Sequence, residues 1–213
     1  MSLTITGLFA WILSLSDRFL IEYFRGSDEV GIYAAAYQLV DSPMSLISSF
    51  MIMAAFPIII DAWENYDEDT AIDLISSVMR YHLLFAVPIA FGISSLSSEI
   101  MLVLGKSYVL GSKIIPWVCL GSLILGISNY LNKGFELKKN TKALSLIVGI
   151  AGMSNIIMNL YLIPKYGFYG TEISIFFAYL VYFLLAAIVS NKYLKLHINT
   201  KSTLNILIGS VIM

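Results

Sequence analysis

Six long apolar runs, separated by short polar segments, constrain this chain more than any other feature of its sequence. A membrane-spanning helix needs roughly 20 mostly apolar residues to cross a hydrocarbon core about 30 Å thick. Runs of about that length occupy residues 3–24, 30–60, 81–97, 114–131, 143–163 and 169–190. We therefore predict an all-α integral membrane protein, a polytopic helix bundle that forms a single lobe over residues 1–213.

The two ends of the sequence need separate interpretations. A seventh apolar run, 203–213, would cross only about half of the core at about 1.5 Å per residue. We expect it to be a helix that the sequence cuts short. The first run, 3–24, is expected to be a retained helix, because Asp17 and Arg18 occupy the place where a signal peptide would need small residues.

Composition excludes several classes of protein and site. Charged residues make up 13% of the chain, whereas soluble domains carry about a quarter. The 13 basic and 14 acidic residues give a net charge of −1, so we predict no nucleic-acid partner. A single cysteine, Cys119, and two distant histidines, His82 and His197, predict neither a metal site nor a cofactor.

The distribution of Lys and Arg predicts the orientation in the membrane, because cytoplasmic loops are enriched in these residues. When successive loops are assigned to alternate sides of the membrane, one side receives more Lys and Arg residues than the other. The richer set, which includes the loop 133–142, predicts that the N-terminus of the chain faces the cytoplasm. The richer set is Arg80, Lys133, Lys138, Lys139, Lys142, Lys192, Lys195 and Lys201; the poorer is Arg25, Lys106, Lys113 and Lys165.

Two connecting segments have distinctive compositions. Residues 61–73 are rich in Asp and Glu and are predicted to form a long cytoplasmic loop. Within it, Asp67 and Asp69 could hold a divalent metal in a glycosyltransferase, but the composition better fits a surface amphipathic helix capped by acidic residues. Residues 100–105 are too short to span a membrane and predict a short interfacial helix.

Charged residues inside the first run are candidate functional residues, because a charge at bilayer depth costs about 2.5–3.5 kcal/mol on insertion scales. Asp17, Arg18 and Glu22 lie within this run. Arg18 could line a polar cavity and meet an anionic substrate. Alternatively Arg18 and Glu22, four residues apart on one helix face, could neutralise each other.

Polar residues in later runs allow both functional and structural roles. Asp41 lies beside Pro43, whose helix-breaking ring frees backbone carbonyls, so Asp41 could bind a proton or ion or could bond neighbouring hydroxyls. Glu172 begins the sixth run, where we expect it to cap the helix. Asn155 and Asn159 share one helix face, as do Ser128 and Asn132, while Asn129 is offset by one position. These residues are expected to form interhelical amide bonds, with recognition of sugar hydroxyls as the alternative.

The order of several short segments resembles that of polysaccharide (O-antigen type) flippases. These proteins belong to the multidrug/oligosaccharidyl-lipid/polysaccharide exporter superfamily, and the similarity is to their C-terminal half. The segments are 16–21 (Ser-Asp-Arg-Phe-Leu-Ile), 30–39 (Val-Gly-Ile-Tyr-Ala-Ala-Ala-Tyr-Gln-Leu), Phe56-Pro57, 104–108 (Leu-Gly-Lys-Ser-Tyr) and 163–170 (Ile-Pro-Lys-Tyr-Gly-Phe-Tyr-Gly).

This resemblance implies a two-lobed fold and a transport function. The chain would be one lobe, with about six full transmembrane helices and a truncated seventh, and its partner would be an N-terminal lobe or a second copy. A cationic cavity would lie between the lobes. By alternating access, the protein would carry undecaprenyl-diphosphate-linked oligosaccharides (repeat units of O-antigen, capsule or exopolysaccharide) across the bacterial cytoplasmic membrane. Such a protein is not an enzyme, and its partners are the lipid-linked substrate and membrane lipid.

The resemblance also assigns candidate residues. Arg18 and Asp17 would line the cavity, with Arg25 and Arg80 nearer the two membrane faces. Asp17 or Asp41 would take up a coupling proton or ion. Three alternatives remain open: a drug or metabolite exporter of the same superfamily, a membrane enzyme of glycan assembly, and a lobe fragment that does not transport.

Overall fold

The computed structural model describes residue 7 and residues 16–191, and the described chain is helical almost throughout. The predicted run 203–213 and most of the run 3–24 lie outside the described residues. The helices are α1 (described over 16–25), α2 (Ser27–Asn65), α3 (Glu68–Ser95), α4 (Ser97–Leu104), a 3₁₀ helix (Lys106–Lys113), α5 (Ile115–Leu137), α6 (Thr141–Tyr166) and α7 (Phe168–Ser190).

The helices confirm the predicted class of all-α membrane protein. Among the described residues, α2, α3, α5, α6 and α7 are each long and apolar enough to cross a bilayer. The main core is formed by side chains of α1, α2, α3, α5 and α7, among them Ile21, Val40, Ala86 and Ile115. A second core joins α5, α6 and α7.

The connection between α2 and α3 is much shorter than the sequence indicated. The prediction of a long loop over 61–73 is wrong, because α2 continues to Asn65 and α3 begins at Glu68. The Asp67 side chain caps α3 by accepting a hydrogen bond from the Thr70 N–H at 2.6 Å. Glu68 and Asp69 follow in the first turn, where the positive end of the helix dipole stabilises carboxylates. The acidic composition therefore marks a capped helix start, as the alternative interpretation of this segment held.

The hairpin formed by α2 and α3 is longer than a bilayer is thick. The 39 residues of α2 correspond to about 58 Å of helix, against about 30 Å of hydrocarbon core. The tip of this hairpin has its own core of Ile59, Ile72, Ile75, Met79 and Tyr130. These contacts join the ends of α2 and α3 to α5 in one packed unit.

Two lysines at the end of α5 contact the last part of α2 near this tip. Lys138 forms an ion pair with Glu68 and lies 4.5 Å from the centre of the Trp63 ring. Lys133 pairs with Glu136 at 2.7 Å and lies 4.2 Å from the centre of the Phe56 ring. Cations over aromatic faces gain electrostatic energy from the ring quadrupole, so these lysines stabilise the end of α2.

The short helix predicted over 100–105 is present as α4. It ends at Gly105, whose φ of 140° is favourable only for glycine, and the 3₁₀ helix follows. Gly111 of the 3₁₀ helix packs on α2 so closely that a Cβ there would lie 3.2 Å from the Ala36 Cβ. The 3₁₀ helix thus lies against α2, and α4 packs on the 3₁₀ helix.

The turn between α6 and α7 brings two distant parts of the chain together. Gly167 has a φ of 62°, which lets α7 begin directly after α6 ends. Glu29, in the first turn of α2, accepts a hydrogen bond from the Phe168 N–H at 3.1 Å and so satisfies a free donor at the start of α7. A Cβ on Gly170 would lie 2.6 Å from the Leu162 carbonyl oxygen, so α6 and α7 are in backbone contact here.

Candidate functional site

The carboxylate of Asp17 lies at the junction of α1, α2 and α6. The side chain is 2% exposed. Its carboxylate accepts hydrogen bonds from the Asn159 Nδ2 at 2.5 Å and from the Tyr33 hydroxyl at 3.5 Å. Donors on two neighbouring helices thus replace water around a group that would be costly to bury alone. Asn159 forms the interhelical bond that the sequence predicted for it.

Two more buried side chains complete what we call the Asp17 cluster, which consists of Asp17, Tyr33, Asn155, Asn159 and Glu172. Asn159 also donates to the Asn155 Oδ1 at 3.1 Å. Glu172 of α7 is 2% exposed and interacts electrostatically with Asp17. The expectation that Glu172 caps α7 is wrong, because the helix begins at Phe168 and places this side chain one turn in, where it is buried.

Several polar atoms of the Asp17 cluster have no partner among the described residues. They are the Asn159 Oδ1, the Asn155 Nδ2 and the Glu172 Oε1. Buried polar groups in folded proteins are nearly always hydrogen-bonded. A cluster that combines two carboxylates with unpaired amide and carboxyl oxygens has the chemistry to accept a proton or a small cation.

Arg18 follows Asp17 but is less buried. Its guanidinium interacts electrostatically with both Asp17 and Asp41. Within the described part of the chain, however, no carboxylate lies within ion-pair distance of Arg18, and Glu22 is exposed. The alternative in which Arg18 and Glu22 neutralise each other is therefore not what the structure shows.

The other two candidate arginines lie away from the Asp17 cluster. Arg25 is exposed, and its Nε donates to the Ile163 carbonyl at 3.3 Å, near the end of α6. Arg80 is half-buried on α3 and donates to the Ser77 hydroxyl at 3.0 Å. No hydrogen bond or ion pair joins either one to the Asp17 cluster in the residues that the structure describes.

Asp41 faces a polar groove between α2 and α5, which we call the α2–α5 groove. The groove has a volume of about 140 Å³. Sequence reasoning identified Asp41 and Asn129 but missed the serines of the groove, although serines recur at helical spacing along α2. The lining residues are Asp41, Met44, Ser45, Ser48, Ser49, Ser122, Leu125, Gly126 and Asn129.

The sequence matches a protein family described as "Polysaccharide biosynthesis protein" over residues 1–113, more than half of the chain. The chain belongs to this family. The matched region contains Asp17, Arg18 and Asp41, whereas Asn155, Asn159 and Glu172 lie beyond it. Membership confirms the relationship to polysaccharide biosynthesis that the sequence motifs predicted.

Two other proteins are similar to this chain in sequence or in structure. An uncharacterized membrane protein of Methanocaldococcus jannaschii is 27% identical over 208 residues, which cover 93% of the chain and 39% of the relative. The lipid II flippase MurJ in an inward closed conformation has a similar structure, with a TM-score of 0.79 at 22% identity over 97% of this chain. The chain covers 44% of that flippase, so it spans less than half the length of both proteins.

Proposed function

We propose that this chain is the C-terminal lobe of a two-lobed transporter that moves lipid-linked oligosaccharides across a membrane by alternating access. Family membership and the exporter fold support transport in polysaccharide biosynthesis. The observation that carries the proposal is Arg18, a cation of α1 within the apolar run 3–24, which has no ion-pair partner among the described residues.

The chemistry of Arg18 fits a diphosphate. A charge at bilayer depth costs about 2.5–3.5 kcal/mol and therefore faces a partner or a water-filled cavity. A guanidinium presents a planar fork of donors that matches phosphate oxygens. In the proposed mechanism, the diphosphate of an undecaprenyl-linked repeat unit of O-antigen, capsule or exopolysaccharide binds near Arg18, while the prenyl tail stays in the lipid.

The exposure of α2 supports a second lobe. Only 11% of the most apolar window of α2 is buried, against 33–50% in the other four candidate spans. Its open face carries Gln38, Ser45 and Ser49, which are unsuited to lipid contact. A central cavity shared with an N-terminal lobe, or with a second copy, would cover this face. The intact mass of the native product tests this, and two lobes predict a mass near twice 23.7 kDa.

The Asp17 cluster is the proposed coupling site. Asp17 and Asp41 are both candidates from the sequence, but of the two, Asp17 alone accepts hydrogen bonds from other helices within the described part of the chain. Uptake of a proton or a small cation by Asp17 would change its bonding to α2 and α6, and so would bias one arrangement of these helices. We expect Asp17→Asn to reduce glycan export, while Asp41→Asn retains the ion dependence of transport.

We further propose a location in the bacterial cytoplasmic membrane, with the α2–α3 tip in the cytoplasm. Single cysteines introduced at Tyr66 and at Ser27 should be labelled by membrane-impermeant maleimide from opposite sides. In whole cells lacking other accessible thiols, labelling only of the cysteine at position 27 is the expected result. Labelling only at position 66 would reverse the orientation.

The decisive test of transport uses the full-length native gene in a strain that lacks it. We expect Arg18→Gln to abolish export of the glycan at unchanged protein abundance, and Arg18→Lys to retain part of it. Glu22→Gln, one turn along the same helix and exposed, is the matched control and should export normally. Normal export by Arg18→Gln would refute the proposal.

Two other outcomes would assign a different function. Export of dyes by the wild-type protein, with no glycan defect in the deletion strain, would indicate a drug or metabolite exporter. Loss of a divalent-ion-dependent glycosyl transfer in an Asp67→Ala, Asp69→Ala variant would indicate an enzyme. The structural role of Asp67 as the cap of α3 already accounts for its place in the sequence.

A further inference from the structure

We propose that the α2–α5 groove binds a sugar ring of the transported glycan, an inference that rests on the proposed function. Polar residues from two helices line the groove: Asp41, Ser45, Ser48 and Ser49 from α2, and Ser122 and Asn129 from α5. Its volume of about 140 Å³ is several times the roughly 30 Å³ that one water molecule occupies in the liquid.

Most of the polar groups that line the groove are not used by the fold. The Asp41 carboxylate, the Asn129 amide and the hydroxyls of Ser48, Ser49 and Ser122 form no hydrogen bond with any residue that the structure describes. The Ser45 hydroxyl donates to the Ser42 carbonyl at 3.1 Å and can still accept. At bilayer depth, such groups are costly unless water or a polar ligand satisfies them.

The charge around the groove favours a neutral ligand. Asp41 would repel a phosphate group, and its electrostatic interaction with Arg18 opposes the binding of a cation. A carboxylate, a carboxamide and several hydroxyls together offer both donors and acceptors. This combination matches adjacent sugar hydroxyls, each of which donates one hydrogen bond and accepts others.

The position of the groove fits the same ligand that Arg18 would bind. Asp41 is within electrostatic range of Arg18, so a diphosphate at Arg18 would place its attached sugar near the groove. Gly126 forms part of the groove wall, and His82 packs behind it, where a Cβ on Gly126 would lie 2.6 Å from the His82 Nε2. The absence of a side chain at position 126 leaves room for His82 behind the groove wall.

Competitive binding to the full-length protein tests the inference. The two probes are the lipid-linked oligosaccharide fraction extracted from the host's own membranes and polyprenyl diphosphate without sugar. Native mass spectrometry of the detergent-solubilised protein then reports which lipid remains bound. We expect the wild type to prefer the sugar-bearing lipid by about tenfold, which corresponds to about 1.4 kcal/mol.

Substitutions locate the source of that preference. Asn129→Leu and Ser122→Ala, each at the groove, should reduce the preference severalfold, with the loss confined to the sugar-bearing lipid. Ser128→Ala is the matched control, because its hydroxyl is buried and bonded to the Ile124 carbonyl at 2.8 Å. Asp41→Asn should keep more of the preference than Asp41→Leu, because an amide still forms hydrogen bonds with sugar hydroxyls. If the groove bound a cation instead, both variants would lose binding, since both remove the negative charge.

Each result separates this inference from the proposed function. If neither lipid binds the wild type, the proposed function fails. Equal binding of both lipids would overturn the sugar site and leave transport of polyprenyl diphosphates intact. A preference that survives in both Asn129→Leu and Ser122→Ala would also overturn it, by placing sugar recognition elsewhere in the protein.

Discussion

Replacing Asn159 with leucine should destabilise the bundle, because Asn159 connects α6 to the buried carboxylate of α1. The substitution removes the bond to Asp17 at 2.5 Å and the bond to Asn155 at 3.1 Å. Measured interhelical hydrogen bonds in membranes average about 0.6 kcal/mol, with a maximum of about 1.7. The Asp17 bond is buried, so we place it near the maximum and expect a total loss of about 2 kcal/mol.

Unfolding of the purified protein in mixed micelles, followed by circular dichroism as the fraction of SDS rises, measures this loss. Asn65→Leu is the matched control, since Asn65 also bonds an aspartate, Asp61, at 2.8 Å but is exposed. Its effect should stay within about 0.5 kcal/mol.

A double-mutant cycle with Asp17→Leu tests the pairing itself. Removing one partner leaves a buried polar group unsatisfied, whereas removing both is close to neutral. The double variant should therefore lose less free energy of unfolding than the two single variants lose together, by at least about 1 kcal/mol. Strict additivity, or an Asn159→Leu variant as stable as the wild type, would refute the reasoning.

Two further predictions concern helix contacts and helix capping. Gly170→Ala should cost about 1–3 kcal/mol, because the new Cβ would lie 2.6 Å from the Leu162 carbonyl oxygen; Gly92→Ala, with no atom within 4 Å, should be neutral or stabilising in the same unfolding assay. The backbone hydrogen bond from Thr70 holds the pKa of Asp67 below its ordinary 3.8. The stabilisation by this cap should therefore be complete above pH 3.8 and be lost as the pH falls through the lowered pKa of Asp67 in the folded protein. Asp67→Ala should therefore accelerate amide hydrogen exchange in the first turn of α3 at pH 6, and Asp67→Asn should not; equal exchange in all three proteins would show that the cap is unimportant.

The sequence predicted the membrane class well, because the length of an apolar run is set directly by the thickness of the bilayer. It failed at the ends of α2 and α3, where the helices continue outside the apolar region. The end of α2 and the start of α3 are polar on average. The helical spacing of Ile72, Ile75 and Met79, which pack at the hairpin tip, is what indicates a helix there.

The candidate site was predictable residue by residue but not as an assembly. Asp17 and Arg18 were evident because charges are rare inside apolar runs. The pairing of Asp17 with Asn159 joins positions 142 residues apart, and no local pattern encodes such a contact. Glu172 was misassigned for the same reason: its proximity to a helix start was visible, whereas its burial depends on how α7 packs against the other helices.

The length of α2 gives the hairpin tip the properties of a lever. Roughly 28 Å of helix remains after the bilayer core is crossed, so a tilt of about 10° would move the far end by about 5 Å. Because the core of the tip includes Tyr130 of α5 and Lys138 pairs with Glu68, the ends of α2 and α3 would move together with the end of α5. Small rotations within the membrane would thereby be amplified into movements large enough to follow by distance measurements between spin labels on the tip and on α6.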